Sequence, residues 1–194
     1  MAAEPVPRRV ALIVHPTRQV GQALASVKSW AAGRGVDVVQ LAVDGKRYRE
    51  LAAPGTVQEG DLVVAIGGDG TVLASLRVAV AQGAPVFGVA CGSLGALTAV
   101  AADAIAAALE RVWAGDWTAR SLPALAIGPA DAPHDWAAND FVVVRRGAGQ
   151  LVADIVVDDE LYARLAGDGL VVATALGSSA YSMAAGVEDR KSVV

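Results

Sequence analysis

Apolar positions along the first 120 residues follow two rhythms, compact β-branched runs and longer stripes spaced three or four apart. "RRVALIVH" (8–15) is of the first kind and predicts a buried strand ended by a turn at Pro16. From Arg18 to about Ala32 the second rhythm takes over: Val20, Ala23, Leu24, Val27 and Trp30 line one helical face, and Gly33 closes it. "VDVVQLAV" (36–43), "DLVVAIG" (61–67) and "APVFGVA" (84–90) predict further strands. A helix is expected from Thr71, and Ile105, Leu109, Val112 and Trp113 mark another over 103–114. Strands and helices that alternate in this way imply crossover connections, hence a mostly parallel, Rossmann-like sheet with helices on both faces.

Beyond Arg120 the pattern changes. "ALAIG", "DFVVVRR", "LVADIVVDD" and "ELYARL" are short, valine-rich and separated by Gly, Pro or Asp, which predicts antiparallel strands. "TARSLP" (118–123) interrupts the first pattern, so the expected organisation is an α/β domain over 1–120 and an all-β domain over 121–194. A short helix is expected from Ser178 or Ser179 through "AYSMAAG". No internal repeat and no low-complexity segment is evident.

The chemistry concentrates where the third long strand stops. "VVAIGGDGTVLASL" (63–76) runs from strand into helix through Gly67, Gly68, Asp69 and Gly70. Residues without a Cβ reach positive φ and let a phosphate approach the backbone, and Thr71 is placed to cap a helix whose N-terminus favours anions. The turn lacks the lysine of a P-loop, and Leu73 stands where a dinucleotide fingerprint has its third glycine. Asp69 sets it apart. A carboxylate beside phosphates is unfavourable unless it takes a proton from an attacking hydroxyl or holds a metal ion.

Composition narrows the partners. A net charge of -4 offers no basic stripe for nucleic acid. No uncharged run approaches the roughly 18 residues of a membrane span, which argues against a membrane partner. The single cysteine excludes an internal disulfide framework, and no cleavage site follows the first apolar run, so a cytoplasmic protein is expected. Two distant histidines and one cysteine indicate no metal site of thiolates or imidazoles, and His15 and Cys91 read as structural. Arg145 and Arg146 read as a solvated strand edge.

"GGDGT" (67–71) in this setting resembles the superfamily that holds NAD kinases, diacylglycerol and sphingosine kinases, and phosphofructokinases. Lipid kinases of the group carry an Asn-Asp pair some 25 to 30 residues further on, whereas "FGVACGSLGALTAV" (87–100) has no Asn. That stretch is similar to the NAD kinase pattern Gly-x-Asn-x-Gly-x-Leu-Gly-Phe-Leu, with Gly92, Leu94, Gly95 and Leu97 in place. "AANDFVVVRR" (137–146) resembles the family's Asn-Glu pair at a strand head. "GDGLVVATALGSSAYSMAAG" (167–186) resembles its Asp-Gly-x-x-x-Ser-Thr-Pro-Thr-Gly-Ser-Thr-Ala-Tyr segment, and "ALIVHPTR" fits its first strand.

The resemblance implies phosphoryl transfer from ATP, or polyphosphate, to the 2'-hydroxyl of the adenosine ribose of NAD. Magnesium is expected with the donor, because charge developing on the phosphoryl oxygens needs a cation and the motif brings no lysine, and a homo-oligomer is expected. The resemblance also implies roles by position. Asp69 takes the hydroxyl proton, while Gly67, Gly68, Gly70 and Thr71 face phosphates. Asn139, Asp140, Asp168, Thr174, Ser179, Ala180 and Tyr181 bind NAD, the last three lining the adenine pocket. Ala90, Ala96, Ala175 and Leu176 depart from the family pattern, and Asp140 replaces a Glu. The family continues past Gly186 with further strands where "VEDRKSVV" ends this chain, so an incomplete β domain is expected. Two other readings stay open: a nucleotide-binding protein without turnover, and a lipid kinase of the same superfamily.

Overall fold

The computed structural model describes residues 5–43, 49–132 and 135–180, Ser179 by its backbone alone. The chain divides into two units, Met1–Arg120 and Ser121–Val194.

In the first unit, β1 (Arg9–Val14), β2 (Val38–Leu41), β3 (Ala53–Gly55), β4 (Asp61–Gly67), β5 (Val86–Ala90) and β6 (Val100–Ala101) form one sheet, ordered β3-β2-β1-β4-β5-β6. Every pairing is parallel. Alternate residues of the central strands feed two cores. Leu12, Leu62, Val64 and Ile66 meet α1 (Gly21–Ala32) and α3 (Ile105–Trp113) through Val27, Trp30 and Leu109. On the opposite face Ile13, Val63 and Leu41 meet Ala79 of α2 (Asp69–Ala79). β4 is buried at every position, which explains why its sequence is an apolar run rather than an alternation. Each fully buried aliphatic side chain there stabilises the fold by about 1.5–3 kcal/mol.

The strand order places the chain reversal between β1 and β4: the connections leave β1 toward β2 and β3, then return to β4 on its other side. Open α/β sheets bind ligands in the crevice at the carboxyl ends of such a pair. At the other end of the same two strands, Asp61 is 2% exposed and receives Arg9 in a two-pronged pair, Nε at 2.8 Å and Nη2 at 2.6 Å. The Gln58 amide donates to the same carboxylate and Arg9 Nη2 also reaches the Thr56 carbonyl, so the buried charge is fully engaged.

Several boundaries differ from the sequence pattern for identifiable reasons. α1 begins at Gly21 rather than Arg18, because the Thr17 and Arg18 amides turn toward His15 Nδ1. α2 begins at Asp69, two residues before Thr71. β3 and β6 carry no sequence signal. β3 is Ala-Pro-Gly at the sheet edge, held by the Gln40 side chain, whose Oε1 accepts the Leu51 and Ala52 amides at 2.7 and 3.1 Å.

Among the described residues the second unit contains three antiparallel pairs: β7 (Leu125–Ile127) with β8 (Asp135–Ala137), β9 (Asp140–Val144) with β12 (Gly169–Ala173), and β10 (Leu151–Val157) with β11 (Glu160–Gly167). β10 and β11 join through Asp158 and Asp159, both at positive φ, the geometry of a two-residue hairpin turn. Asp154 and Arg164 face each other across this hairpin in a two-pronged ion pair. β8 and β12 were not marked by the strand pattern. A short 3-10 turn covers Gly177–Ser179, and the rest of the helix expected through "AYSMAAG" lies outside the described residues.

Replacing Asp61 by Ala leaves the Arg9 guanidinium, 18% exposed, without its counter-charge. The expected loss is about 3 kcal/mol in urea unfolding, with the m-value unchanged.

Candidate active site

The carboxyl ends of β1, β2 and β4 open into a cavity of about 240 Å³, whose lining includes His15, Arg18, Gln40, Arg49, Gly68 and Asp69. It therefore sits at the strand reversal. The β-to-α turn that carries Asp69 is shaped by packing. Gly68 is fully extended, φ -162°, and none of Gly67, Gly68 or Gly70 has positive φ, contrary to the expectation from composition. A Cβ on Gly67 would lie 2.2 Å from Thr71 Oγ1, so the missing side chain makes room for the first helical turn to fold back over the strand end. Thr71 is buried within that turn, its amide bonded to the Gly68 carbonyl at 2.8 Å, while Gly68 itself is the N-cap without a side-chain bond. The capping role expected of Thr71 is thus not observed, because the helix starts two residues earlier.

Asp69 occupies the first position of α2, where a negative charge complements the helix dipole. Both of its oxygens are held from a distant segment: Oδ2 accepts the Ala96 amide at 2.9 Å and Oδ1 the Leu97 amide at 3.0 Å. Each oxygen retains a lone pair for a ligand. The loop that supplies these amides is braced by the Gly95 amide, which donates to Thr98 Oγ1 at 2.8 Å. Gly95 is required by proximity, since a Cβ there would stand 2.1 Å from Asp69 Oδ1. In the same way Gly88 of β5 admits Val72 of α2, whose Cγ2 would be 2.7 Å from a Cβ.

Two arginines flank the carboxylate's cavity. Arg18 Nη1 donates to the Cys91 carbonyl at 3.1 Å, and a Cβ on Gly68 would be 3.4 Å from it. Arg49 Nη1 lies 3.5 Å from the Arg18 carbonyl. Sequence reasoning passed over Arg18, Arg49 and Gln40, although one polar residue inside the apolar run "VDVVQLAV" was a usable signal. Burial pushes the Cys91 thiol up, with the Arg18 charge opposing.

In the second unit Asn139, Asp140 and Thr174 gather at one end of the β9–β12 pair. Asp140 stands opposite Ala173, the Thr174 amide donates to the Asn139 carbonyl at 2.7 Å, and Thr174 Oγ1 donates to the Ala138 carbonyl at 2.7 Å. The loop beyond packs on them: a Cβ on Gly177 would lie 1.9 Å from the Asn139 carbonyl oxygen, and the Ala180 amide closes the following turn onto Gly177. Asn139 Oδ1 is buried without a hydrogen-bond partner among the described residues. Asp168 lies at the other end of the pair, its carboxylate 87% exposed and bonded to Arg145 Nε at 2.7 Å. The Ser179 side chain and Tyr181 lie outside the described residues. Among the described residues no three His, Cys, Asp or Glu converge as a metal cluster, and no helix is long and apolar enough to cross a membrane.

A parallel sheet with helices on both faces, and a glycine-rich turn presenting a carboxylate at its strand reversal, define an open α/β protein with a candidate ligand site at that reversal. The sequence model of the ATP-NAD kinase N-terminal domain matches residues 47–117, and that of the ATP-NAD kinase C-terminal domain matches residues 138–189. The chain belongs to the NAD kinase family. It is similar to the NAD kinase of Methanothermobacter thermautotrophicus, 34% identical over 164 residues, covering 82% of this chain and 58% of that protein. It is also similar to the NAD kinase of Heliobacterium modesticaldum, 40% identical over 131 residues, covering 65% of this chain and 46% of that protein. The chain thus spans about half the length of these curated relatives. Its fold is similar to the crystal structure of yeast NADH kinase complexed with NADH, with a TM-score of 0.62 and 18% identity over 94% of this chain and 62% of that one.

Two measurements check this local geometry. Gly95→Ala is expected to destabilise the protein by about 1–3 kcal/mol in urea unfolding, through overpacking against Asp69. In an Asp69→Ala background the same change should cost under about 0.5 kcal/mol, because the colliding carboxylate is gone. Cys91, with its thiol held protonated to higher pH, should react with iodoacetamide at pH 7.5 several-fold more slowly than free cysteine, the rate still climbing above pH 9, as followed by mass spectrometry.

Proposed function

We propose that the chain is an NAD kinase, an enzyme that transfers a phosphoryl group from ATP or polyphosphate to the 2'-hydroxyl of the adenosine ribose of NAD, yielding NADP. The observation that carries the reading is Asp69: a carboxylate at the strand reversal, facing a cavity of about 240 Å³ and fixed through both oxygens by the Ala96 and Leu97 amides. Fixed in this way, it accepts a hydrogen bond from the ribose hydroxyl, orients the oxygen for in-line attack and takes its proton as the bond to phosphorus forms. Phosphates approach past Gly68 and Gly70, next to the N-terminus of α2.

Recognition of NAD falls to the second unit. Asn139 Oδ1, buried and without a partner among the described residues, suits a donor on the ligand such as an adenine amino group or a ribose hydroxyl. Asp140 and Thr174 share that end of the β9–β12 pair, with Ala180 on the adjoining turn. Asp168, together with Ser179 and Tyr181, completes the proposed set.

Magnesium fits Asp69 as a single carboxylate ligand, since this cation keeps water and phosphate oxygens for most of its shell. Bound there, it would neutralise charge on the transferred phosphoryl oxygens. A reducing cytoplasm suits the lone thiol of Cys91. We take the chain to act as a homo-oligomer, a reading supported by apolar side chains left open on β10 and β11, among them Val152, Leu161 and Tyr162.

With NAD, magnesium and either ATP or polyphosphate, NADP formation followed through a coupled dehydrogenase is expected. Asp69→Asn should lower kcat by about 10²–10⁴-fold while circular dichroism stays unchanged. NAD binding without turnover by the unaltered protein would replace this reading with a non-catalytic nucleotide binder.

A further inference from the structure

We propose that Arg18 and Arg49 form a clamp for a run of two or more linked phosphates in the cavity beside Asp69. The two side chains line the same cavity from different segments, one after β1 and one before β3. The two segments meet where Arg49 Nη1 stands 3.5 Å from the Arg18 backbone carbonyl oxygen. Neither makes an ion pair among the described residues, whereas Arg9, Arg34, Arg111, Arg145 and Arg164 each face a carboxylate. Two guanidiniums against the single carboxylate of Asp69 line this concavity, so its cationic side has charge to offer an anion.

Each arginine sits on a segment held by a polar side chain. His15 Nδ1 accepts the Thr17 and Arg18 amides at 3.3 and 3.1 Å, which fixes the turn that carries Arg18. Among the described residues the Arg18 guanidinium donates one bond, to the Cys91 carbonyl, which leaves N–H groups for a ligand. Gln40 holds the second segment. It is 3% exposed within β2, where an aliphatic residue would be cheaper to bury. Its Nε2 donates to the Arg49 carbonyl at 2.7 Å and its Oε1 accepts the Leu51 and Ala52 amides. A buried amide that satisfies itself entirely on residues 49–52 acts as an anchor for the backbone that presents Arg49.

Guanidinium pairs bind phosphate in two-pronged geometry, and two of them at separate points on one wall match a chain of phosphates better than a single one. Gly68 itself puts no side chain into the space beside Arg18 Nη1, where a Cβ would stand 3.4 Å away. Such a chain could be the donor's or the pyrophosphate of the dinucleotide. The clamp rests on the kinase reading for the identity of its ligand, while its existence can be tested without turnover.

The probe is inorganic tripolyphosphate, titrated into the full chain by calorimetry at 0.15 M salt. Arg18→Ala and Arg49→Ala are each expected to weaken binding at least tenfold, with Lys at either position intermediate. Arg34→Ala, which removes an exposed arginine on another surface, should change it less than twofold. Equal affinity in the wild type and both Ala variants, or an equal loss in Arg34→Ala, overturns the clamp. Steady-state kinetics assign the source: a KM rise of tenfold or more for ATP or polyphosphate with the NAD KM steady identifies the donor chain, and the converse identifies the dinucleotide. If tripolyphosphate binds as stated but no NADP forms, the kinase reading fails and the clamp stands.

Discussion

The carboxylate of Asp69 ties the first turn of α2 to the loop that follows β5, and much of the first unit is arranged around that contact. Two backbone amides converge on it from residues 27 and 28 positions further along the chain. Such convergence requires backbones closer together than side chains ordinarily allow. Gly95 permits the loop to reach the carboxylate, Gly67 permits the helix to fold over the strand end, and Gly88 permits α2 to lie against β5. The glycines of this region are therefore consequences of distance, and the carboxylate is the group the distances serve.

The sheet separates stability from chemistry along its own axis. Where β1 and β4 begin, Arg9 and Asp61 neutralise one another with little exposure to water. Where the same strands end, Arg18 and Asp69 line one cavity. Between the two ends Leu12, Val64 and Ile66 are buried in an apolar core. A rigid apolar middle lets the polar groups at the ligand end hold positions fixed by packing, so little reorganisation is needed when charge arrives.

Strong periodicity made most of the fold legible from sequence. β1, β4 and β5 are apolar runs because both faces are covered, and α1 and α3 keep their stripes because each packs on one sheet face. β3 and β6 were illegible, since Ala-Pro-Gly and Val-Ala have no preference that survives without partners; Gln40 and β5 position them. For the site, the Gly-Gly-Asp-Gly-Thr run marked the turn between β4 and α2, but its glycines do not take the positive φ it suggested, because space and backbone dihedrals leave the same trace in sequence. Arg18 and Arg49 are brought together by tertiary approach, and no local pattern joins residues 31 apart. Asn139 and Thr174 were reachable only through resemblance; the pairing of β9 with β12 supplies the physical reason they meet.

The pairing of β1 with β4 carries a kinetic consequence. Arg9 and Asp61 are 52 residues apart, so the central pair of the sheet must close a long loop before any of its burial is gained, whereas β10 and β11 close over two aspartates. The hairpin can form in microseconds while the sheet is still searching for its partners. During synthesis the whole first unit emerges ahead of the second, and the search can run its course before the rapidly forming hairpin leaves the ribosome.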